Sequence, residues 1–243
     1  MISIFQNKKD RFIIDNIKIN RYIFKYINSN MYVIVDGKNA LVIDPHEDSE
    51  ILDKLEGVKN IDILLTHEHP DHISGIYWLQ EKFNCKIYCT KYCADYISQE
   101  RNVRPILITF VLEERDRQNG TNVLDKFNKE FVPHTYNADI TFEEQYFINW
   151  CSHKLEFFKI LGHSKGSCGI ILDDVIVFTG DSLMKELPVI TRFPGGSRST
   201  YINEMLPMLE KRLKSDMWIL PGHGEPFQLK EIMKDGKLNV EIR

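Results

Sequence analysis

The sequence predicts an α/β layered domain, and three observations lead to that class. Strand-like and helix-like segments alternate in both halves of the chain. The turn signal "DGKN" separates two segments that are rich in β-branched and aromatic residues. Several short apolar runs, typical of buried strands, end directly in histidine or aspartate. The 243 residues suffice for a buried core, and we expect a single domain over residues 1–243.

The first half is predicted to be β-rich with two helices. In order, we predict a strand at 22–27, a hairpin over 31–45, a helix over 47–55, a buried strand at 61–65, a helix over 73–83 and a strand at 85–90. In the second half, we predict strands at 154–161 and 169–180, a helix over 199–215 that is bent at Pro207, and a final strand and loop over 216–224.

Residues 99–137 differ from the rest of the chain. Their charge is dense around "LEERDRQNG", and their hydrophobic periodicity is weak. We predict a partly helical insertion between core strands. It is either a solvated surface elaboration or a lid or substrate wall, since long insertions in compact domains are often functional.

Composition and charge narrow the function classes. The hydrophobic content of 43% and the charged content of 27% are ordinary for a soluble globular protein. A net charge of −4 gives no bulk positive charge, so we do not expect a nucleic-acid partner. No apolar run approaches the ~18 residues that span a bilayer, and no secretory signal pattern is visible. The odd number of cysteines and the lack of a CxxC pair fit a reducing compartment, and we expect the cytoplasm.

Three of the eight histidines fall within the stretch "THEHPDH", residues 66–72. Side chains alternate along an extended segment, so His67 and His69 can point the same way. Asp71 and His72 fall at the start of the next predicted helix, where aspartate is favourable. The stretch can therefore aim two imidazoles at one point and an aspartate–histidine pair at a nearby one.

Further metal-ligand types occur in similar settings along the chain. His163, Asp181 and His223 each follow a predicted strand and adjoin a glycine, which lets the backbone approach a site closely. The complete candidate set is His67, His69, Asp71, His72, His163, Asp181 and His223. Seven ligands are too many for one four-coordinate ion and suit two divalent ions with one shared carboxylate. Imidazole-rich sites favour zinc, with iron and manganese as alternatives.

The motifs "LVIDP", "THEHPDH", "GHSKGS", "FTGDS" and "PGHG" together resemble the metallo-β-lactamase superfamily. The resemblance implies an αββα four-layer sandwich with metals at one edge of the two sheets, and leaves the insertion at 99–137 unmatched. It also implies the ligand sets: His67, His69 and His163 for one ion, Asp71, His72 and His223 for the other, with Asp181 bridging. Asp44 resembles a position that supports the ligands by hydrogen bonding. His46 stands where a small residue is usual, and we leave open whether it is a loop residue or a substrate contact.

Within the superfamily, the chain looks most similar to glyoxalase II-like thioester hydrolases, from "THEHPDH", "FTGD" and "FPGGSRST". Two departures stand out. Lys165 occupies a position where proline is common. Only residues 225–243 follow "PGHG", where glyoxalase II has a C-terminal helical region that helps bind glutathione. Asp181 separates the chain from antibiotic-hydrolysing β-lactamases, which resemble this pattern but lack an aspartate there.

These expectations combine into a binuclear metal-dependent hydrolase that acts on a thioester or ester of a small molecule. A water that bridges two divalent ions is acidified to hydroxide, and Asp71 can orient it and pass its proton to the leaving group. No separate general acid is visible, which favours a good leaving group such as a thiolate. Arg198, Lys165 and His134 are candidate substrate contacts, each with a surface role as the alternative. Whether the protein forms a homo-oligomer stays open.

Three other functions stay open on the sequence alone. Two ions also suit in-line phosphoryl displacement, as in a phosphodiesterase or nuclease. A mononuclear iron oxygenase of the persulfide dioxygenase kind resembles this sequence at all seven positions. A non-catalytic relative kept for binding is the last alternative.

Overall fold

Two β-sheets face each other in this protein, and helices cover both outer faces. The computed structural model describes residues 8–243, so part of the N-terminal stretch judged for a secretory signal lies outside it. Side chains from both sheets meet in a shared core, with Ile43 and Leu64 on one side and Phe157 and Phe178 on the other. Separate apolar clusters join the outer face of each sheet to its helices. The predicted αββα sandwich is therefore confirmed.

The first sheet has seven strands in sequence order, antiparallel up to the fourth strand and parallel from there on. Its strands are β1 Lys8–Ile14, β2 Ile17–Ile23, β3 Asn30–Asp36, β4 Asn39–Ile43, β5 Asn60–Leu64, β6 Asn84–Thr90 and β7 Ile140–Phe142. Apolar residues dominate β4 and β5, as expected for strands that are covered on both faces.

The second sheet has six strands in the order β13-β12-β11-β10-β9-β8, and only the β11–β12 pair is parallel. Its strands are β8 Gln145–Trp150, β9 His153–Lys159, β10 Cys168–Leu172, β11 Ile176–Gly180, β12 Trp218–Pro221 and β13 Phe227–Gln228. Every residue of β10 and β11 is buried, so these strands form the centre of the sheet. A short ribbon, β14 Met233–Lys234 and β15 Lys237–Leu238, follows.

The helices are short except in the insertion. They are α1 Pro70–Ile73, α2 Ile76–Gln80, α3 Lys91–Ile97, α4 Ile106–Asn119, α5 Val123–Glu130, α6 Arg198–Thr200 and α7 Leu206–Arg212, with 3-10 turns at Ser49–Ile51 and Leu229–Ile232. A π-helical turn, Tyr201–Met205, separates α6 from α7 just before Pro207. Proline has no N–H to donate, which accounts for the predicted interruption. Within residues 8–243, no helix is long and apolar enough to cross a membrane.

Four predicted elements differ from the structure. The strand predicted over 169–180 is two antiparallel strands, β10 and β11, joined by a turn at residues 173–175. The prediction of a helix over 47–55 is wrong, because only a 3-10 turn forms there. Ile51 and Leu55 are nevertheless buried, as their helical spacing indicated. The helix over 73–83 is broken between α1 and α2, because the Gly75 N–H donates to the Pro45 carbonyl at 2.9 Å. The strand over 22–27 ends at Ile23, and the chain then turns.

The insertion forms a helical hairpin of α4 and α5. Ile108, Leu112 and Phe127 pack against Phe24 and Tyr26 in the turn that follows β2. The hairpin is thereby attached to the first sheet through an apolar cluster of its own.

Candidate metal centre

All seven candidate ligands lie at the ends of strands, at one edge of the two sheets. The segment after β5 carries four of them, and the loops after β9, β11 and β12 carry one each. The Gly222 N–H donates to the Gly180 carbonyl at 2.8 Å, which joins the loop after β12 to the loop after β11. The Asn30 N–H in turn donates to the Gly222 carbonyl at 2.7 Å. These bonds hold strand ends from both sheets together.

Three buried imidazoles converge on one point. His69 Nδ1 lies 3.1 Å from His67 Nε2 and 3.1 Å from His163 Nε2. Nitrogen ligands at 2.0–2.1 Å around a tetrahedral zinc are separated by about 3.3 Å. The three nitrogen atoms therefore have the spacing of a metal-ligand set and could hold one ion.

A second group lies beside the first. Asp71 Oδ2 is 3.1 Å from His72 Nε2 and 3.3 Å from His223 Nε2. Asp181 lies between the two groups: its Oδ2 is 3.7 Å from His163 Nε2 and 3.5 Å from His223 Nε2. Its Oδ1 is 3.6 Å from His72 Nε2. One carboxylate thus faces both groups, as the bridging role requires.

Two buried atoms at the centre of the site lack a hydrogen bond. Within residues 8–243, His72 Nε2 and Asp181 Oδ1 find no hydrogen-bond partner. Such atoms are costly to bury, and a cation bound between them would satisfy both. A Cβ on Gly222 would lie 2.2 Å from Asp181 Oδ1, so only glycine lets this loop approach so closely. The donor set fits divalent metal ions.

Asp44 and Thr66 fix which nitrogen each histidine presents. Asp44 Oδ1 accepts from the Thr66 N–H at 2.7 Å, and its Oδ2 accepts from Thr66 Oγ1 at 2.6 Å and from His72 Nδ1 at 3.0 Å. Since the Thr66 hydroxyl donates to Asp44, it accepts from His67 Nδ1 at 3.0 Å. His163 Nδ1 likewise donates to the Ile190 carbonyl at 2.8 Å. In all three histidines the proton on Nδ1 leaves Nε2 free to bind a metal.

Asp44, His67 and His72 are themselves close enough to form a third possible ligand group. We assign no ion to it, because three hydrogen bonds already occupy the Asp44 carboxylate. Asp44 is the supporting residue that the sequence indicated. It has a positive φ of 52°, a left-handed conformation that aspartate tolerates better than most residues.

Burial favours the neutral form of the three imidazoles in the first group. Burial, with repulsion from neighbouring histidines, lowers the pKa of His67 well below its usual range. Burial and repulsion from His163 lower the pKa of His69 to about 3. Burial also lowers the pKa of His163, although Asp181 opposes it. Neutral imidazole is the form that binds a metal, so these three side chains can bind an ion without first losing a proton.

The second group is more polar. Burial opposes protonation of His72, but the carboxylates of Asp71 and Asp181 outweigh it and raise the pKa of His72. The same carboxylates raise the pKa of His223 against its burial. Burial acts to raise the pKa of each aspartate, but the facing histidines lower the pKa of Asp71 well below its usual range and lower that of Asp181 as well. Two carboxylates in a buried site attract cations.

Glu68 is part of the support of the site, a role that the sequence analysis did not predict. Its carboxyl group is buried and accepts from Ser164 Oγ at 2.9 Å. Burial raises its pKa, against hydrogen bonds that favour the charged form. Ser164 follows His163, so this contact fixes the loop that carries a candidate ligand. The one sign of this role in the sequence was a carboxylate within the candidate ligand motif "THEHPDH".

A cavity of about 330 Å³ opens above the two groups, and His69, Asp71, Asp181 and His223 line its floor. The first two turns of α4 form one wall, so the insertion reaches the site. The remaining lining residues are Ile27, Pro70, Leu107, Ile108, Val111, Arg115, Met184, Leu187, Pro188, Ile190 and Phe193. Most of them are apolar. Part of the insertion therefore lines this cavity, and its role as a surface elaboration or as a lid or substrate wall stays a prediction.

The three predicted substrate contacts do not line this cavity. Arg198 donates to the Ile242 carbonyl near the C-terminus. Lys165 Nζ lies 6.0 Å from the centre of the Tyr92 ring. His134 stacks on Tyr77 with ring centres 4.0 Å apart, at the edge of a different cavity. His46 is fully buried, with its Nε2 3.2 Å from the Tyr22 carbonyl, so it belongs to the packing under the site.

Fold and donor set together define a class of protein: an α/β sandwich with histidine and aspartate ligands for divalent metals at its strand ends. Residues 26–223 match the family described as the metallo-beta-lactamase superfamily, and the chain belongs to that superfamily of metallohydrolases. The chain is 26% identical over 207 residues to hydroxyacylglutathione hydrolase GloC of Haemophilus influenzae, covering 78% of this chain and 82% of that one. It is 28% identical over 220 residues to a probable metallo-hydrolase of Methanocaldococcus jannaschii, covering 86% and 92%. Among solved structures, the BLEG-1 B3 metallo-beta-lactamase has a TM-score of 0.65 at 22% identity and covers 88% of this chain and 95% of its own.

Proposed function

We propose that this protein uses two divalent metal ions to hydrolyse a thioester or ester of a small molecule. The observation that carries the proposal is the partly buried Asp181 carboxylate, which faces both ligand groups. Within the described residues, its Oδ1 and His72 Nε2 are buried atoms that lack hydrogen bonds. A carboxylate in this position can be shared by two adjacent ions. The mostly imidazole donor set favours zinc, with iron and manganese as the next choices.

Ions bound there would supply an acidified water at neutral pH and positive charge opposite the developing oxyanion. Asp71 lies on the floor of the cavity, where its carboxylate can accept the proton of an attacking water and return it to the leaving group. The apolar walls limit access of bulk water, which strengthens electrostatic interactions within the site.

The leaving group is best matched by a thiolate. Among the described residues that line the cavity, Arg115 is the one charged side chain besides the candidate metal ligands. A guanidinium does not release its proton at neutral pH, so no general acid apart from the ligands faces the cavity. The name of the Haemophilus influenzae relative, a hydroxyacylglutathione hydrolase, also supports a thioester. A wall with one cation suits a small molecule better than a nucleic acid.

The proposal is tested by metal analysis and a substrate panel. We expect about two zinc, iron or manganese ions per chain and turnover of a chromogenic thioester above that of a lactone, a phosphodiester or a β-lactam. Asp71→Ala should lower kcat/KM by roughly 100-fold or more, as expected for loss of a proton-transfer group. Asp173→Ala is the control, since Asp173 also pairs with a histidine, His153, but in the remote β9–β10 region.

Other outcomes would replace this function. A preference for the phosphodiester would assign a phosphodiesterase or nuclease. One iron per chain with oxygen consumption on a persulfide would assign a dioxygenase. Full activity of the Asp71→Ala variant would rule out the mechanism above.

A further inference from the structure

Two apolar segments line the cavity at the candidate metal centre. Leu107, Ile108 and Val111 of α4 form one wall, and the segment 184–193 forms the other with Met184, Leu187, Pro188, Ile190 and Phe193. The floor between them is polar, with carboxylate and imidazole groups. A ligand that reaches the floor must therefore place its remaining atoms between hydrocarbon surfaces.

Helix α4 carries more apolar residues than its own packing requires. Ile108 and Leu112 are buried and join the cluster that attaches the insertion to the rest of the protein. Leu107 and Val111, one helical turn apart, line the cavity beside Ile108 and do not belong to that cluster. Val111 is 40% exposed, and Leu187 on the opposite wall is 44% exposed. Paired exposed apolar residues over a polar floor indicate a ligand surface.

The charges on the wall do not suit a highly charged substrate. Arg115 is held by a hydrogen bond from its Nη1 to the Tyr26 carbonyl at 2.6 Å. A glutathione group carries two carboxylates and an ammonium group, and the described lining offers it one guanidinium outside the candidate ligands. Burial of such charges without partners would be costly. The mostly apolar lining therefore favours an uncharged group at this position.

We propose that the apolar walls bind a short hydrocarbon acyl group, which makes uncharged acyl thioesters the preferred substrates. This inference rests on the proposed thioesterase function and names its substrate class. The cavity volume of about 330 Å³ lies at the lower end of the roughly 300–1,000 Å³ found for small-molecule sites, which suits a short chain. Val111 and Leu107 are then specificity-determining residues.

The first test is a series of thioesters of one neutral thiol, N-acetylcysteamine, with acetyl, butyryl, hexanoyl and decanoyl groups. Metal-loaded protein should show kcat/KM rising by about fourfold per added methylene until the cavity is filled, and then levelling or falling. S-lactoylglutathione should be a poorer substrate than the hexanoyl thioester. A flat or falling series from acetyl onward would overturn the inference while leaving the thioesterase function standing.

A second series keeps the acetyl group and lengthens an alkyl chain on the thiol. We expect a much weaker dependence on chain length here. If the thiol series rises and the acyl series does not, the acyl assignment is wrong. If no thioester is hydrolysed in either series, the proposed function itself fails.

Substitutions on α4 give the matched comparison. Val111→Ser should lower the ratio of hexanoyl to acetyl kcat/KM by about fivefold, since it removes apolar contact area. Val111→Trp should move the best substrate to a shorter acyl chain, because the larger side chain fills the cavity. Phe110→Ser is the control, since Phe110 is 68% exposed on the same helix and does not line the cavity. Equal ratios in the Val111 variants and the control would overturn the proposal.

Binding without turnover supplies a readout that is independent of the metals. A non-hydrolysable thioether analogue with a hexyl group should bind the isolated protein, as measured by calorimetry with a negative heat-capacity change. Val111→Ser should weaken that binding and Phe110→Ser should not. Absence of binding to the unsubstituted protein would contradict the proposal.

Discussion

Replacing Asp44 by asparagine tests how the protein sets the direction of its candidate metal ligands. The Asp44 carboxylate accepts three hydrogen bonds, two from Thr66 and one from His72 Nδ1. Asparagine has nearly the same size and tolerates the positive φ at this position. It replaces one acceptor oxygen with an NH₂ donor, so the change is electronic rather than steric.

The main effect of this substitution is on the position of the ring proton of His72. With the NH₂ group facing it, Nδ1 must become an acceptor, and the ring proton then moves to Nε2. That nitrogen is the atom directed at Asp71 and Asp181, so the second group loses a ligand lone pair. If the amide instead turns its oxygen to His72, its NH₂ meets the Thr66 N–H, and two donors face each other. Loss of a hydrogen bond to a charged group costs about 1.5–3 kcal/mol.

We therefore expect Asp44→Asn to weaken metal affinity by about 10- to 100-fold, the usual range for residues that support metal ligands. The assay is competition for zinc against a chromophoric chelator, with circular dichroism to confirm the fold. Asp173→Asn is the control, because Asp173 has the same φ of 52° and accepts from His153 Nδ1 and the Lys154 N–H. Equal zinc affinity in the two variants would refute the assignment of His72 Nε2 as a ligand.

Three further predictions follow. Removing metal with a chelator should lower Tm by several degrees in calorimetry, since an ion at about 100 times its Kd adds about 2.7 kcal/mol; an unchanged Tm would count against a metal centre. Gly222→Ala should reduce the metal content per chain, because its Cβ would lie 2.2 Å from Asp181 Oδ1; unchanged content would show that the loop can yield. Hydrogen bonds from Lys25 and Tyr26 lower the pKa of Glu130, so its stabilising effect exists above the usual carboxyl pKa and disappears as pH falls through the lowered value. Glu130→Gln should thus lower the unfolding free energy by about 0.2–1 kcal/mol near pH 7, and the difference in thermal melts should vanish in acid.

The candidate ligands could be found from the sequence because each one follows a strand that has a clear local signal. The apolar run at β5 ends in His67 and His69, and β11 ends directly before Asp181. Strand ends in an α/β fold lie at a common edge, so no knowledge of distant contacts was needed to bring these residues together. The order of the four layers came from family resemblance instead, since the spacing of elements does not specify which sheet faces which helices.

Glu68 shows why the residues that support the candidate ligands were harder to predict from the sequence. Its hydrogen-bond partner, Ser164, is 96 residues away in the chain, and nothing in the local pattern links the two. The break between α1 and α2 has a similar origin. A Cβ at Gly75 would lie 2.5 Å from the His46 backbone, so a distant segment decides where the helix ends.

Helix α4 was not predicted firmly from the sequence, for a different physical reason. A periodic apolar pattern arises when a helix has one buried face and one solvated face. Helix α4 has three environments: Leu112 faces the core, Val111 faces the cavity and Phe110 faces solvent, and all three residues are apolar. Apolar residues that line a cavity therefore weaken the periodicity by which a helix is recognised. In a chain whose ligand motifs are clear, an apolar segment without periodicity is itself evidence for a substrate surface.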